Sequence, residues 1–252
     1  MTKFIMHGCN GAMGQVITRL AKDTPDVEIV AGIDVNDSIS NDYPVFKSLE
    51  ECDVEADVIV DFSSAKITDH LVDYAAEHKI PLVLCTTGLS EEQISKVNEA
   101  SKKVAILRSA NMSLGVNTVF RLAALGAQVL ANEGYDIEIV EKHHNLKLDA
   151  PSGTALAIAD AMNAVLNNEY SYKLDRSQER ARRGKKEIGI QAVRGGNIVG
   201  EHEVFFCGPD EVIEIKHTAY SKGIFGKGAI AAAAFLKGKE PGMYSMSDVI
   251  AQ

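Results

Sequence analysis

The chain has 252 residues, 46% of them apolar and 24% charged, with a formal net charge of −9 at pH 7. That length accommodates one large domain or two modest ones, each with its own core. The acidic balance argues against global attraction to nucleic acid or an anionic membrane, and the mixed composition excludes low-complexity and fibrous classes.

From the N-terminus, short apolar runs alternate with helical patterns. Lys3–Met6, Val27–Ile33, Asp57–Asp61, Pro81–Cys85 and Val104–Leu107 read as strands, and Met13–Lys22, Thr68–His78 and Glu91–Lys103 as helices between them. Apolar strands alternating with helices predict an α/β fold, a Rossmann-like doubly wound parallel sheet. Asp37–Glu51 fits no element. After Asn111 the pattern changes. Leu114–Asn132 reads as a long helix, Tyr135–Glu141 as a half-buried strand with Tyr135, Ile137 and Ile139 on one face, and Thr154–Leu166 as a second helix. Ile188–Val193, Ile198–Phe206 and Val212–Thr218 then follow in close succession, joined by Gly195-Gly196-Asn197 and Gly208-Pro209-Asp210, which predicts antiparallel neighbours. The second half is thus an α+β unit with a largely open mixed sheet, and an open face to be covered suggests self-association. The final helix, Ile224–Lys237, suits either domain by pattern alone.

The start of the chain has no basic region followed by a long apolar stretch, and the longest apolar run, Ala229–Leu236, is far below membrane-spanning length. A cytoplasmic protein without membrane attachment is expected. Cys9, Cys52, Cys85 and Cys207 form no C-x-x-C pair, so they read as free thiols of a reducing compartment.

The first strand runs into His7-Gly8-Cys9-Asn10-Gly11-Ala12-Met13-Gly14 and then a helix. Glycines at a strand-to-helix turn let backbone approach a pyrophosphate, and the helix N-terminus supplies N–H groups to it. Asn10 stands where the common fingerprint has its second glycine, and Asn tolerates a left-handed backbone. A strand ends in Asp34, about twenty residues beyond Gly14, where an acid would bind ribose hydroxyls. Val35, Asn36 and Asp37 include no arginine for a 2′-phosphate, and Asp34 would repel one, so NADH is expected to be preferred over NADPH. Cys85-Thr86-Thr87 and Ser109-Ala110-Asn111-Met112 follow two further strands at the same carboxyl edge, where a nicotinamide would lie, although ordinary turn chemistry explains them equally well.

Glu141–Ala155 holds two histidines, two lysines and a helix start. Ser152 or Asp149 can cap that helix, Pro151 stiffens its entry, and N–H groups near Gly153 and Thr154 form an anion cradle beside Lys147. A metal is not expected, because adjacent histidines on a strand point to opposite faces and no Cys or acid stands at zinc-like spacing. A charged strand end with a capped helix leaves His143, His144 and Lys147 unexplained. Crowding of these groups should lower each other's pKa into acid–base range.

The run E-x-H-H-x-x-K-x-D-A-P-S-G-T-A resembles the signature of the dihydrodipicolinate (4-hydroxy-tetrahydrodipicolinate) reductase family of the diaminopimelate–lysine pathway. The likeness extends over the Gly8–Gly14 loop, Thr86-Thr87-Gly88, Ala110–Asn117 and Arg194–His202. It implies a dinucleotide domain of residues 1–112 and 222–252 around a substrate and tetramerisation domain of residues 113–221. It implies reduction of the hydroxylated cyclic dicarboxylate by NADH or NADPH with loss of water. Carried onto matching positions, His143 is the acid–base residue, Lys147 the proton donor, and His144, Gly153 and Thr154 the substrate-carboxylate holders; Gly8, Cys9, Asn10, Gly11, Ala12, Met13, Asp34, Cys85, Thr86, Thr87, Ser109, Ala110, Asn111 and Met112 bind the cofactor.

Three positions depart from the family pattern: Cys85 for the glycine of G-T-T, Met112 for an aromatic, and Lys222 for an arginine. Cys9 and Cys85 either narrow the cofactor pocket and make it thiol-sensitive, or are buried and inert. The basic run Arg180–Lys186 reads as a solvated, mobile loop or one closing over anionic ligands rather than a nucleic-acid site, and His202 and His217 as satisfied structural histidines. Two rival functions are a non-catalytic NAD(H)-sensing regulator and another Rossmann oxidoreductase acting on a different dicarboxylate.

Overall fold

The computed structural model describes residues 1–109 and 111–251. The chain divides into two compact units, Met1–Leu114 with Lys222–Gln252, and Gly115–Ser221.

In the first unit, strands β1 (Thr2–His7), β2 (Val27–Ile33), β3 (Val45–Phe46), β4 (Val58–Asp61), β5 (Leu82–Leu84) and β6 (Ala105–Arg108) join β12 (Gly242–Tyr244) in the order β12-β6-β5-β4-β1-β2-β3. Every pairing is parallel. Helices α1 (Ala12–Lys22), α2 (Thr68–His78), α3 (Glu91–Ala100) and α6 (Gly223–Leu236) accompany it. One core collects Phe4, Met6, Val58, Val60 and Leu107 with Ile17 and the α6 residues Ala229 and Ala233, whereas a second collects Ile5, Ile59, Leu82, Leu84 and Ile106 with Leu71 and Val97. Alternate strand residues thus feed opposite faces, the burial expected of a doubly wound sheet. A reciprocal Ser90–Gln93 cap starts α3. The Asp37–Glu51 stretch contributes the short edge strand β3, and α6 packs into the first unit, deciding what pattern left open.

The second unit contains α4 (Leu114–Leu130), β7 (Asp136–His143), α5 (Gly153–Val165), β8 (Ser171–Lys173), β9 (Glu187–Arg194), β10 (Gly200–Cys207) and β11 (Val212–Ala219), with sheet order β11-β10-β7-β9-β8. The sheet is mixed: β7 runs parallel to β9 and antiparallel to β10. The expectation that β9 and β10 are neighbours is therefore corrected. Their Gly195-Gly196 connection steps over the end of β7 instead, held there by Gly195 N donating to His143 O (2.9 Å) and Asn145 N donating to Gly196 O (3.2 Å). A tight loop specifies reversal of direction, but not whether another strand occupies the gap.

One sheet face packs Ile137, Ile139, Ile188, Ile190, Val204 and Phe206 against Val119, Ala123 and Ala127 of α4 and Ala155, Ile158 and Met162 of α5. Leu114–Glu133 is long and apolar enough to cross a membrane by length and composition alone, yet this face of it lies in the core. Leu122, Leu125 and Val129 remain exposed on it. Within the basic run, Arg183 donates to Asp136, Glu138 and three backbone carbonyls and Lys186 pairs with Glu169, whereas Arg180, Arg182 and Lys185 are exposed; just ahead of the run, Arg176 pairs with Glu138 and Glu187.

Candidate active site

The carboxyl ends of β1, β2, β4, β5 and β6 lie along one edge of the parallel sheet, and the cofactor candidates follow them. Gly8 adopts φ +81°, and a Cβ there would meet Phe62 O at 2.6 Å. At Gly14 an added Cβ would lie 2.2 Å from Gly8 O and 2.4 Å from Cys9 O, so the helix can start against the loop only without a side chain. Gly11 is the N-cap of α1 and offers no side-chain hydrogen bond to the first-turn N–H groups of Ala12 and Met13. A helix start of this kind suits an anion.

Asn10 does not use a left-handed backbone, contrary to expectation; in this loop it is Gly8 that does. The Asn10 side chain ties the loop to the next crossover, accepting from Asn41 (2.8 Å) and donating to Asn36 O. Asp34 accepts from Asn10 N and Asn36 N, both at 2.9 Å, so its carboxylate is fixed beside the glycine loop. Gly8, Gly11, Asp34 and Val35 line a cavity of about 310 Å³ together with Lys47, a cation that sequence reasoning missed because it lies in the unassigned stretch. Glycine loop, helix start and acid together fit a dinucleotide.

Cys9, Cys85 and Met112 point into the core, so only their backbone would be available to a cofactor. Burial pushes the Cys9 thiol up to about 11, with Asp34 adding to it, and pushes Cys85 well above its ordinary value. This is the buried, inert alternative. Thr86 donates to the fully buried Asp61 (2.6 Å), which also pairs with His7 (2.7 Å). Ser109 and Asn111 close their turn on each other, with Ser109 Oγ donating to Asn111 O (2.8 Å), while Ala110 lies outside the described residues.

In the second unit, β7 continues its period-two alternation past the apolar residues: Ile137, Ile139, Glu141 and His143 are all buried on the core side. Glu141 is fully buried and central. Its Oε2 pairs with His143 Nδ1 (2.6 Å) and Arg194 Nη1 (2.8 Å); its Oε1 accepts from Arg194 Nη2 (2.6 Å) and Ser152 N (2.9 Å). Burial alone would raise this carboxyl, but the bonds from Arg194, His143 and Ser152 outweigh it and hold the acid below its ordinary range.

Ser152, not Asp149, caps α5, its Oγ accepting from Ala155 N (3.2 Å). Gly153 and Thr154 lie between the members of that bonded pair in the first turn, at the positive end of the helix. Lys147 pairs with Asp149 (2.8 Å). His143 and Lys147 thus each meet a carboxylate. The Nδ1 of His144, just past the strand end, is buried without a hydrogen-bond partner among the described residues.

Sequence reasoning gave Glu141 and Arg194 no specific part in the site and read His202 as structural. The alternation of β7 was the available signal for Glu141, since its parity with Ile139 and His143 places it on their face. His202 is not the satisfied histidine expected. Its Nε2 meets Ser152 Oγ (3.0 Å) and its ring lies edge-on to His143, but its Nδ1 is buried and unpartnered. Burial, followed by the neighbouring His143, pushes the His202 imidazolium down to about 4 from 6.5. Between those values the unfolded chain binds a proton that the folded chain excludes, so this contribution to stability is lost as pH falls from 6.5 to 4. The loss amounts to about 3 kcal/mol at about 1.4 kcal/mol per pH unit. Urea unfolding of His202→Gln, whose amide still reaches Ser152, is expected to show a correspondingly shallower acid decline. An unchanged slope would assign the titration to another group.

No cluster of three or more His, Cys, Asp or Glu side chains suited to a metal ion occurs among the described residues. Residues 2–112 match the family profile "Dihydrodipicolinate reductase, N-terminus" and residues 115–250 match "Dihydrodipicolinate reductase, C-terminus". The chain is 54% identical to the 4-hydroxy-tetrahydrodipicolinate reductase of Caldanaerobacter subterraneus subsp. tengcongensis, covering 99% of this chain and 98% of the relative. It is 48% identical to that of Clostridium tetani, covering 98% and 96%. Its fold is similar to the dipicolinate-bound dihydrodipicolinate reductase from Paenisporosarcina sp. TG-14, with a TM-score of 0.84 at 23% identity, covering 98% of this chain and 99% of that one.

Proposed function

The chain belongs to the dihydrodipicolinate reductase family, and on that premise we propose that it reduces 4-hydroxy-tetrahydrodipicolinate to tetrahydrodipicolinate, with NAD(P)H as reductant and loss of water, in diaminopimelate and lysine biosynthesis. The observation that carries this reading is the buried Glu141–His143 pair at the end of β7, joined through Ser152 N to the start of α5. It sets a proton-exchanging imidazole and an anion-binding helix end on one carboxylate. Full-length likeness to reductases sets aside the non-catalytic regulator.

The first unit holds the dinucleotide along Gly8–Met13, Asp34, Cys85–Thr87 and Ser109–Met112, and the nicotinamide supplies hydride when bound. The second unit holds the substrate. The first-turn N–H groups of Gly153 and Thr154, with His144, bind its carboxylates. The Nδ1 of His143 is committed to Glu141, which leaves Nε2 to exchange a proton with the ring or its departing hydroxyl. Lys147, next to the cradle in sequence, supplies a proton from Nζ. The reductase is taken to be a cytoplasmic homotetramer. Its four free cysteines and the exposed Val193 and Val212 on the open face of the second sheet support that reading.

Purified protein is expected to oxidise NADH when given freshly generated 4-hydroxy-tetrahydrodipicolinate, followed by loss of nicotinamide absorbance. No turnover beyond the substrate-free rate would refute the assignment and favour a reductase of another dicarboxylate. Asp34, fixed by two backbone N–H groups, disfavours a 2′-phosphate, whereas Lys47 in the same cavity attracts one. The closer-held carboxylate is expected to prevail, giving kcat/KM about tenfold higher for NADH than for NADPH, the scale of about 1.4 kcal/mol. A preference for NADPH would show that Lys47 dominates the cavity.

A further inference from the structure

Glu141 is the point where three parts of the second unit meet. It projects from β7, takes both terminal nitrogens of Arg194 from β9, takes the N–H of Ser152 at the N-cap of α5, and pairs with Nδ1 of His143 two residues along its own strand. Arg194 also reaches Asp149 O (2.7 Å), so the same guanidinium fastens the loop between β7 and α5. A buried charge pair is a weak source of stability against an apolar alternative. Here, however, the four hydrogen bonds that the carboxylate accepts tie it to His143, to the N-cap of α5 and to Arg194.

We propose that Glu141 and Arg194 act jointly as positioning residues: the carboxylate fixes His143 with its Nδ1 committed and Nε2 directed to the substrate, and the guanidinium holds that carboxylate in register with the α5 cradle and offsets its charge. The inference rests on the reductase reading of the site, with His143 as its acid–base group. A carboxylate hydrogen-bonded to one ring nitrogen sets the tautomer and steadies the charged imidazole, while a cation on the far side of the carboxylate tempers that effect. The groups facing His143 are Glu141 from β7, Arg194 through Glu141 from β9, and His202 from β10, with His217 of β11 beyond it. Lys147 and Asp149 of the connecting loop lie close enough to act on His202 and Arg194 respectively. Among them, Glu141 is the only anion hydrogen-bonded to the His143 ring in the described residues.

Opposite charges on the two positioning residues make the test specific. In Glu141→Gln the His143 ring loses its anion, so the limb of the pH–kcat/KM profile that reports His143 should move to lower pH by about one unit, with kcat falling about ten- to a hundredfold. In Arg194→Gln the anion stays and its counter-charge is gone, so the same limb should move to higher pH. A merely structural pair would lower thermal stability in both variants without moving the limb in opposite directions. Because Ser152 N also depends on Glu141, affinity for dipicolinate, measured calorimetrically, should fall about tenfold in Glu141→Gln.

Ring ¹⁵N shifts of His143 give a readout independent of turnover. The wild type should show the Nδ1–H tautomer when neutral, and Glu141→Gln a mixture of tautomers. An inactive wild type would overturn the reductase reading and leave the tautomer measurement to decide the positioning role. An active wild type with unmoved limbs, or with both limbs moving together, and unchanged ring shifts would overturn the positioning role alone. If Glu141→Gln does not fold, the upward limb shift and the ring shifts of Arg194→Gln decide it.

Discussion

Replacing His143 with alanine is expected to lower kcat at least about a hundredfold, the lower end of what a positioned acid–base group contributes. The change leaves Glu141 paired with Arg194 and Ser152, so the buried carboxylate keeps three of its four hydrogen bonds. The fold and dipicolinate binding should therefore survive, separating lost chemistry from lost structure. Lys147→Ala is expected to cost a similar factor in kcat and to raise KM as well, because it removes a positive charge from the proposed site and strips Asp149 of its partner. Steady-state kinetics with circular dichroism as a folding control would check both. Full activity in both variants would mean that the proton comes from elsewhere.

The second large effect is expected at Gly14. The Cβ of Gly14→Ala would lie 2.2 Å from Gly8 O and 2.4 Å from Cys9 O, both backbone atoms that cannot swing aside. Either the loop opens or α1 retreats, and both displace the helix start that would receive the pyrophosphate. Overpacking of this kind costs about 1–3 kcal/mol or more in stability. Dinucleotide affinity should fall at least about a hundredfold, because the cradle depends on closely placed N–H groups. Gly11→Ala makes the comparison informative, since its Cβ meets only Gly8 O, at 3.3 Å. Fluorescence titration with NADH should rank Gly14→Ala far below Gly11→Ala. Equal, wild-type affinities would remove the glycine loop from the cofactor site.

Local patterns were enough for the elements whose causes are local. The alternation of apolar strands with helices specified the parallel sheet, the turn between β1 and α1 carried the spacing of a phosphate loop, and Ser152 stood in place to cap α5. Family likeness in the Glu141–Ala155 run then singled out His143 and Lys147. Local pattern also reached its limit in recognisable places. The α6 helix is apolar nearly all round and so has no polar face to say which unit it belongs to; contact with the first core decided that.

The order β10-β7-β9 and the partners of Glu141 came only from the tertiary structure. The partners of Glu141 are Arg194, separated by 53 residues, and Ser152, separated by 11, and His202 joins Ser152 across 50 residues. Such pairings are set by which strands lie side by side and in what register, and a one-residue slip would turn Glu141 away from Arg194 to the opposite face. A buried acid is legible as a buried acid only when the residues that neutralise it are in view. By itself the sequence determined which groups of this protein can do chemistry. The strand order of the second sheet decided which of them lie side by side.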